Sequence, residues 1–133
     1  MPRRARPEDQ IQRAVFQHLA ARAAPNVVAF HPFNGGYRRP TEAAIANGLG
    51  VLAGVPDVIA IAGGAVYCLE IKAEGGKLTP AQINVHDRLR QAGAHVATAY
   101  GLDVAIRQLE AWHLLRGTAA TRIAERPAQR EAG

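Results

Sequence analysis

Three charged side chains stand inside the most apolar part of this chain. Asp57 opens one β-rich run, and Glu70 and Lys72 lie two residues apart in the next, with Gly63-Gly64 between the runs. A Gly-Gly pair at such a junction predicts a hairpin. Because side chains alternate along a strand, Glu70 and Lys72 should point to one face of the sheet. The hairpin brings the chain back to its starting end, so we expect Asp57 to lie beside Glu70.

Two neighbouring carboxylates repel each other, which raises the pKa of one of them. A divalent cation removes that problem, and hard ions such as Mg²⁺ or Mn²⁺ prefer oxygen ligands. The cation can lower the pKa of a bound water and offset charge on a phosphate. Lys72 would orient that water or stabilise the transition state. This set of groups is typical of phosphodiester hydrolysis.

The same three residues also have an ordinary structural interpretation. Glu70 and Lys72 would then form a surface salt bridge on an edge strand, and Asp57 would be a turn residue after Pro56. Short charged patterns of this kind arise often by chance. The pattern alone leaves both interpretations open.

The flanking residues extend the pattern in both directions. Asn34-Gly35-Gly36, Gly54-Val55-Pro56-Asp57, Glu70-Ile71-Lys72, Gly76 and Gln82 follow one another in this order. The conjunction resembles the virus-type replication-repair nuclease (VRR-NUC) domain of the PD-(D/E)xK nuclease superfamily, over residues 8 to 113. The resemblance implies a restriction-endonuclease-like α/β core, a small mixed β-sheet flanked by helices.

The resemblance also implies a catalytic site. Asp57, Glu70 and the main-chain carbonyl of Ile71 would bind Mg²⁺ or Mn²⁺, and Lys72 would be the catalytic lysine. Glu8 is the position that matches the acidic residue of the family's first helix, as a further catalytic residue and metal ligand. Gln82 would support the active site.

Two of these residues have alternatives in local structure. Glu8 shares a helical face with Ile11, Val15 and Leu19, but an acidic residue in a first helical turn also complements the helix dipole. Gln82 completes a Thr79-x-x-Gln82 capping box, which alone would account for it. The capping and active-site interpretations of Gln82 do not exclude each other.

A polar loop and a nearby lysine supply the candidate DNA contacts. In a nuclease these residues would bind the phosphate backbone: Asn34, Tyr37, Arg38, Arg39 and Lys77. A solvated turn is the alternative for the loop, because Asn-Gly-Gly is ordinary turn chemistry.

The remaining elements follow from periodicity, caps and breakers. We predict helices over 7–24, 41–47 (with Thr41 as N-cap), 80–91 (after Thr79) and 102–115, and strands over 27–31, 57–62, 65–73 and 95–100. This order indicates a single α/β domain over 7–116, preceded by a basic arm, 1–6, and followed by a disordered tail, 117–133.

The composition favours a polyanionic partner. The chain has 133 residues, a formal net charge of +5 and a pI of about 10.1, which favours nucleic acid. With a single cysteine, an internal disulfide is not possible. The sequence has no phosphate-binding GxxxxGK[ST] motif, so we expect no nucleotide cofactor. We expect no membrane association and an intracellular, cytoplasmic protein encoded by a bacterium or phage.

The resulting hypothesis is a metal-dependent DNA endonuclease. By resemblance, it would act as a homodimer on branched DNA, such as Holliday junctions, in replication, repair or recombination. The alternative is a non-catalytic nucleic-acid-binding module of the same fold, which predicts loss of Asp57, Glu70 or Lys72; all three are present. A protein unrelated to nucleic acids, with a chance pattern, is a third hypothesis.

Overall fold

The computed structural model describes residues 6–33 and 40–117. Its elements are α1 (Pro7–Arg22), β1 (Val28–Phe30), α2 (Pro40–Gly48), β2 (Val58–Ala62), β3 (Ala65–Lys72), α3 (Pro80–Gln91), β4 (His95–Tyr100) and α4 (Leu102–Ala111). The predicted α/β class with a small mixed sheet is confirmed. The predicted basic arm apart from Arg6, the loop residues 34–39 and the predicted tail from 118 onward lie outside the described residues.

The four strands form one sheet in the order β1-β2-β3-β4. β2 is antiparallel to β1 and β3, whereas β3 and β4 are parallel. The predicted hairpin is present: Gly63 and Gly64 adopt φ angles of 57° and 78° in the turn, a conformation that glycine tolerates without strain. Val58 then pairs with Leu69. Asp57, one residue earlier, therefore lies at the level of Glu70.

The two faces of β3 have different partners. One face carries Leu69 and Ile71 into the hydrophobic core with α1 and α4, where the fully buried residues include Val15, Ala105 and Leu109. Alternation places Cys68, Glu70 and Lys72 on the opposite face, where the buried His86 of α3 contacts Glu70. We call this second face, at the carboxyl end of β3, the site face.

Three helices differ from their predicted bounds, and α1 does so only in ending at Arg22 rather than at 24. α2 begins at Pro40, so the prediction of Thr41 as its N-cap is wrong; proline fits the first helical position because its missing N–H has no partner there anyway. α4 ends at Ala111 rather than 115. His113 takes a φ of 61°, and the chain turns so that Leu115 forms a bridge with Ala23.

None of the described helices is long and apolar enough to cross a membrane.

The loop before Asp57 packs directly on the first turn of α3. Gly54 has a φ of +91°, and a Cβ atom at this position would lie 2.5 Å from the carbonyl oxygen of Ala81. Only a residue without a side chain permits both the backbone angle and this approach. Gly54 thus holds the segment that leads to Asp57 against the helix that carries His86.

We expect Gly54→Ala to destabilise the domain by about 2–4 kcal/mol, because the substitution combines backbone strain with overpacking. Gly50→Ala is the matched control, since Gly50 has a φ of +89° with nothing within 4 Å of the added Cβ. Urea denaturation of both variants measures the difference. Equal losses of stability would show that the contact with Ala81 contributes nothing.

Candidate active site

Asp57 is held at the start of β2 by a hydrogen bond from the neighbouring strand. The main-chain N–H of Ile71 donates to its Oδ2 atom at 2.8 Å. The aspartate side chain therefore continues the β2–β3 ladder beyond the last main-chain pair. This bond fixes the Asp57 carboxylate beside the main chain of Ile71 and next to the side chain of Glu70.

Glu70 is the most perturbed titratable group of this cluster. Its residue is only 2% exposed. Burial, the hydrogen bond and negative charge of Asp57, and the charge of Glu8 together raise the pKa of Glu70 to about 9, against the opposing effect of Lys72. Without a cation, the Glu70 carboxyl therefore keeps a proton at neutral pH.

Lys72 lies on the same face and is 7% exposed. The turn after β3 packs against its aliphatic chain: a Cβ at Gly76 would lie 3.5 Å from Cβ and Cδ of Lys72. β3 is flanked by β2 and β4, so Lys72 and Glu70 are buried residues of a central strand. The alternative of a surface salt bridge on an edge strand is wrong.

Cys68 precedes Glu70 by two residues and is fully buried on the site face. Burial raises the pKa of its thiol, so Cys68 stays a neutral, space-filling side chain, as a buried cysteine usually does.

The structure brings Glu8 to the same end of the sheet. Its Oε2 atom accepts a hydrogen bond of 3.4 Å from the main-chain N–H of Ala73, directly after Lys72. α1 therefore presents its first turn to the carboxyl end of β3, where the charge of Glu8 acts on Glu70.

Gln82 forms the predicted capping box. Its side-chain oxygen accepts from the Thr79 N–H at 2.8 Å, and the Thr79 hydroxyl accepts from the Gln82 N–H at 3.2 Å. The side-chain oxygen is therefore directed to the helix cap rather than to the carboxylates.

His86 is the site residue that the sequence reasoning missed. The residue is 1% exposed, and its Nε2 atom lies 3.1 Å from Oε1 of Glu70. Burial, followed by the positive charge of Arg90, lowers the pKa of His86. The available signal was position: His86 follows Gln82 by four residues, so the two share a helical face.

A second histidine, His31, contacts Asp57 from the position directly after β1. Nδ1 of His31 lies 2.7 Å from the main-chain oxygen of Asp57, and only a ring N–H can make this bond to a carbonyl. His31 itself is exposed and ties the end of β1 to the start of β2.

The other predicted residues are more distant or undescribed. Lys77 is exposed on the loop before α3. The side chain of Ile71 points into the core, so only its main chain faces the candidate site. Asn34, Tyr37, Arg38 and Arg39 lie outside the described residues.

The donor set suits a hard divalent cation. Within residues 6–33 and 40–117, no three His, Cys, Asp or Glu side chains are arranged as a preformed metal centre. Mg²⁺ does not require one, because it usually binds one or two carboxylates and keeps several waters. The like charges around Glu70 are the repulsion that such a cation would relieve.

Comparisons with known proteins support the fold. One solved structure, a VRR-NUC domain protein, is 28% identical and superposes with a TM-score of 0.64 over 83% of this chain and 90% of its own. A second, a VRR-NUC domain, is 21% identical with a TM-score of 0.55, covers 80% of this chain and 97% of its own, and supports the fold. No family model and no curated protein matches the chain. The structural similarity and the order of the motifs together support a VRR-NUC domain protein, with a nuclease-type domain.

Proposed function

We propose that this protein is a divalent-metal-dependent endodeoxyribonuclease that hydrolyses phosphodiester bonds in DNA. The supporting observation is the convergence of Asp57, Glu70 and Lys72 at one end of a central strand, with Glu8 beside them. The net charge of +5 favours a DNA substrate, because cationic proteins gain affinity by releasing counterions from phosphates.

Asp57, Glu70, Glu8 and the main-chain carbonyl of Ile71 would hold Mg²⁺ or Mn²⁺. When bound, the cation lowers the pKa of a coordinated water and offsets charge that develops on the phosphate. The protein holds these oxygen atoms in place. The Ile71 N–H and the Ala73 N–H bind Asp57 and Glu8, respectively, so two of the carboxylates are oriented by β3 itself.

Lys72 would act on the reacting groups. Its ammonium is carried by a buried side chain, and charge–charge interactions are stronger where water is excluded. As a donor of three hydrogen bonds, it can orient a water nucleophile or stabilise negative charge on a phosphate oxygen.

The surface around the site would bind the DNA backbone. Lys77 is exposed on the loop before α3, five residues after Lys72, and is suited to a phosphate contact. By family resemblance, Asn34, Tyr37, Arg38 and Arg39 would add further contacts. We also propose a homodimer acting on branched DNA such as a Holliday junction, because symmetric cutting of two strands requires two sites.

The prediction that tests the proposed reaction concerns Lys72. We expect Lys72→Ala to lower the rate of DNA cleavage about 10²–10³-fold, as the loss of a transition-state donor does, while DNA binding persists. Cleavage is measured on labelled linear duplex, single strand, flap and four-way junction with Mg²⁺, Mn²⁺ or EDTA. Glu74→Gln, in the exposed turn after β3, is the control.

Cleavage that survives EDTA would contradict the metal requirement. Binding by the wild-type protein without cleavage of any of these DNAs would instead favour the non-catalytic binding module.

The proton on Glu70 links stability to pH. The folded, cation-free protein holds this proton up to a pKa of about 9, whereas an ordinary glutamate loses it near 4.5. Between these values the folded state binds more protons than the unfolded state. The contribution of Glu70 to the free energy of unfolding therefore decreases as the pH rises through this window.

A prediction for Glu70 follows from this sign. In EDTA, Glu70→Gln should become more stable relative to wild type as the pH rises from about 5 to about 9, by on the order of 1 kcal/mol per pH unit. Glutamine is neutral in both states, so it lacks this dependence. Chemical denaturation of both proteins at several pH values measures the gap, with Glu74→Gln as control.

A difference in the free energy of unfolding between wild type and Glu70→Gln that does not change with pH would contradict the raised pKa of Glu70. Excess Mn²⁺ at neutral pH should stabilise wild type more than Glu70→Gln, because ligand binding to the folded state raises stability.

A further inference from the structure

His86 is a buried polar residue that has no role in the proposed reaction as described above. It lies on the side of α3 that covers the site face, 1% exposed, with Nε2 3.1 Å from Oε1 of Glu70. Water has little access to either group, since Glu70 is 2% exposed. A buried polar atom that loses its partner is costly, so this hydrogen bond constrains both side chains.

The other ring nitrogen indicates which atom carries the proton. In the described part of the chain, Nδ1 of His86 is buried with no hydrogen-bond partner. A proton on Nδ1 would therefore be a buried donor without an acceptor, which folded proteins rarely contain. A proton on Nε2 is donated to Glu70. The surroundings thus favour the Nε2–H tautomer, with imidazole as donor and carboxyl as acceptor.

We propose that His86 is a positioning residue for cation binding: its Nε2–H group holds the Glu70 carboxyl in the orientation in which Glu70 and Asp57 bind one divalent cation together. The inference rests on the proposed function. The physical basis is general, because the groups that hydrogen-bond to metal ligands fix their orientation and influence metal affinity. Asp57 is oriented by the Ile71 N–H, and His86 would do the same for Glu70.

Packing alone is the competing explanation for a buried residue on α3. Val85, the preceding residue, is 3% exposed and also buried, but its side chain offers no hydrogen bond. Val85→Ala therefore disturbs the same helix without touching the donor. A structural role and a positioning role predict different effects of changes at these two neighbouring positions.

The test is a series of variants titrated with Mn²⁺ by calorimetry near neutral pH. His86→Leu removes the donor, and we expect Mn²⁺ affinity to fall about 10- to 100-fold. His86→Gln restores an N–H at similar reach, so its affinity should remain within about threefold of wild type. Val85→Ala should lower the melting temperature in EDTA, yet leave Mn²⁺ affinity within about twofold.

A second measurement is made on the wild-type protein itself and uses a variant only to assign the signals. Long-range ¹H–¹⁵N NMR of the wild-type protein in EDTA reports the tautomer of each imidazole, and the His86 signals are assigned by their loss in His86→Gln. We expect the Nε2–H tautomer. An Nδ1–H tautomer would overturn the proposal, as would equal Mn²⁺ affinity in wild type and a folded His86→Leu.

Failure of the proposed function gives a different pattern. A wild-type protein that binds no Mn²⁺ and cuts no DNA overturns both proposals at once. A wild type that binds Mn²⁺ with an affinity unchanged by His86→Leu overturns only the role of His86.

Discussion

The constraint on which this structure depends is the placement of a buried carboxyl group, that of Glu70, beside the half-buried carboxyl group of Asp57 at the end of a central strand. An apolar residue at position 70 would be the more stable choice, because burial alone raises the pKa of Glu70 and the nearby Asp57 raises it further. The site face accommodates the cluster by providing partners: the Ile71 N–H for Asp57, and His86 for Glu70. Each of these partners lies on β3 or on the helix packed against it.

The alternation of side chains along β3 lets one strand meet two opposing requirements. Leu69 and Ile71 belong to the core with α1 and α4, whereas Glu70 and Lys72 face α3. Hydrophobic burial on the first face stabilises the strand that carries the unfavourable charges on the second. A shift of register by one residue would exchange the two sets. The Gly63-Gly64 turn and the parallel pairing with β4 fix the register of β3, and this register keeps Glu70 and Lys72 on the site face.

Sequence reasoning worked best where local chemistry determines structure. The hairpin, the Thr79 cap and the closeness of Asp57 to Glu70 all follow from turn residues, capping and a strand period of two. The end of α4 could not be predicted in this way, because Leu114 and Leu115 continue the apolar pattern and stay buried after the helix has ended. The burial of Lys72 also depended on which strand became central, and this is a property of the whole sheet.

His86 shows why the site itself was only partly predictable. Helical periodicity places residues 82 and 86 on one face of α3, but the rotation of α3 against the sheet decides which of them meets Glu70. The capping box uses the Gln82 oxygen at Thr79, and by doing so it fixes where α3 begins. His86 lies seven residues after that cap, about two helical turns, and Gly54 keeps the first of these turns close to the Asp57 loop. The cap formed by Gln82 thus has a consequence at the candidate site: a helix that starts at Pro80 brings an imidazole, two turns later, to the buried glutamate.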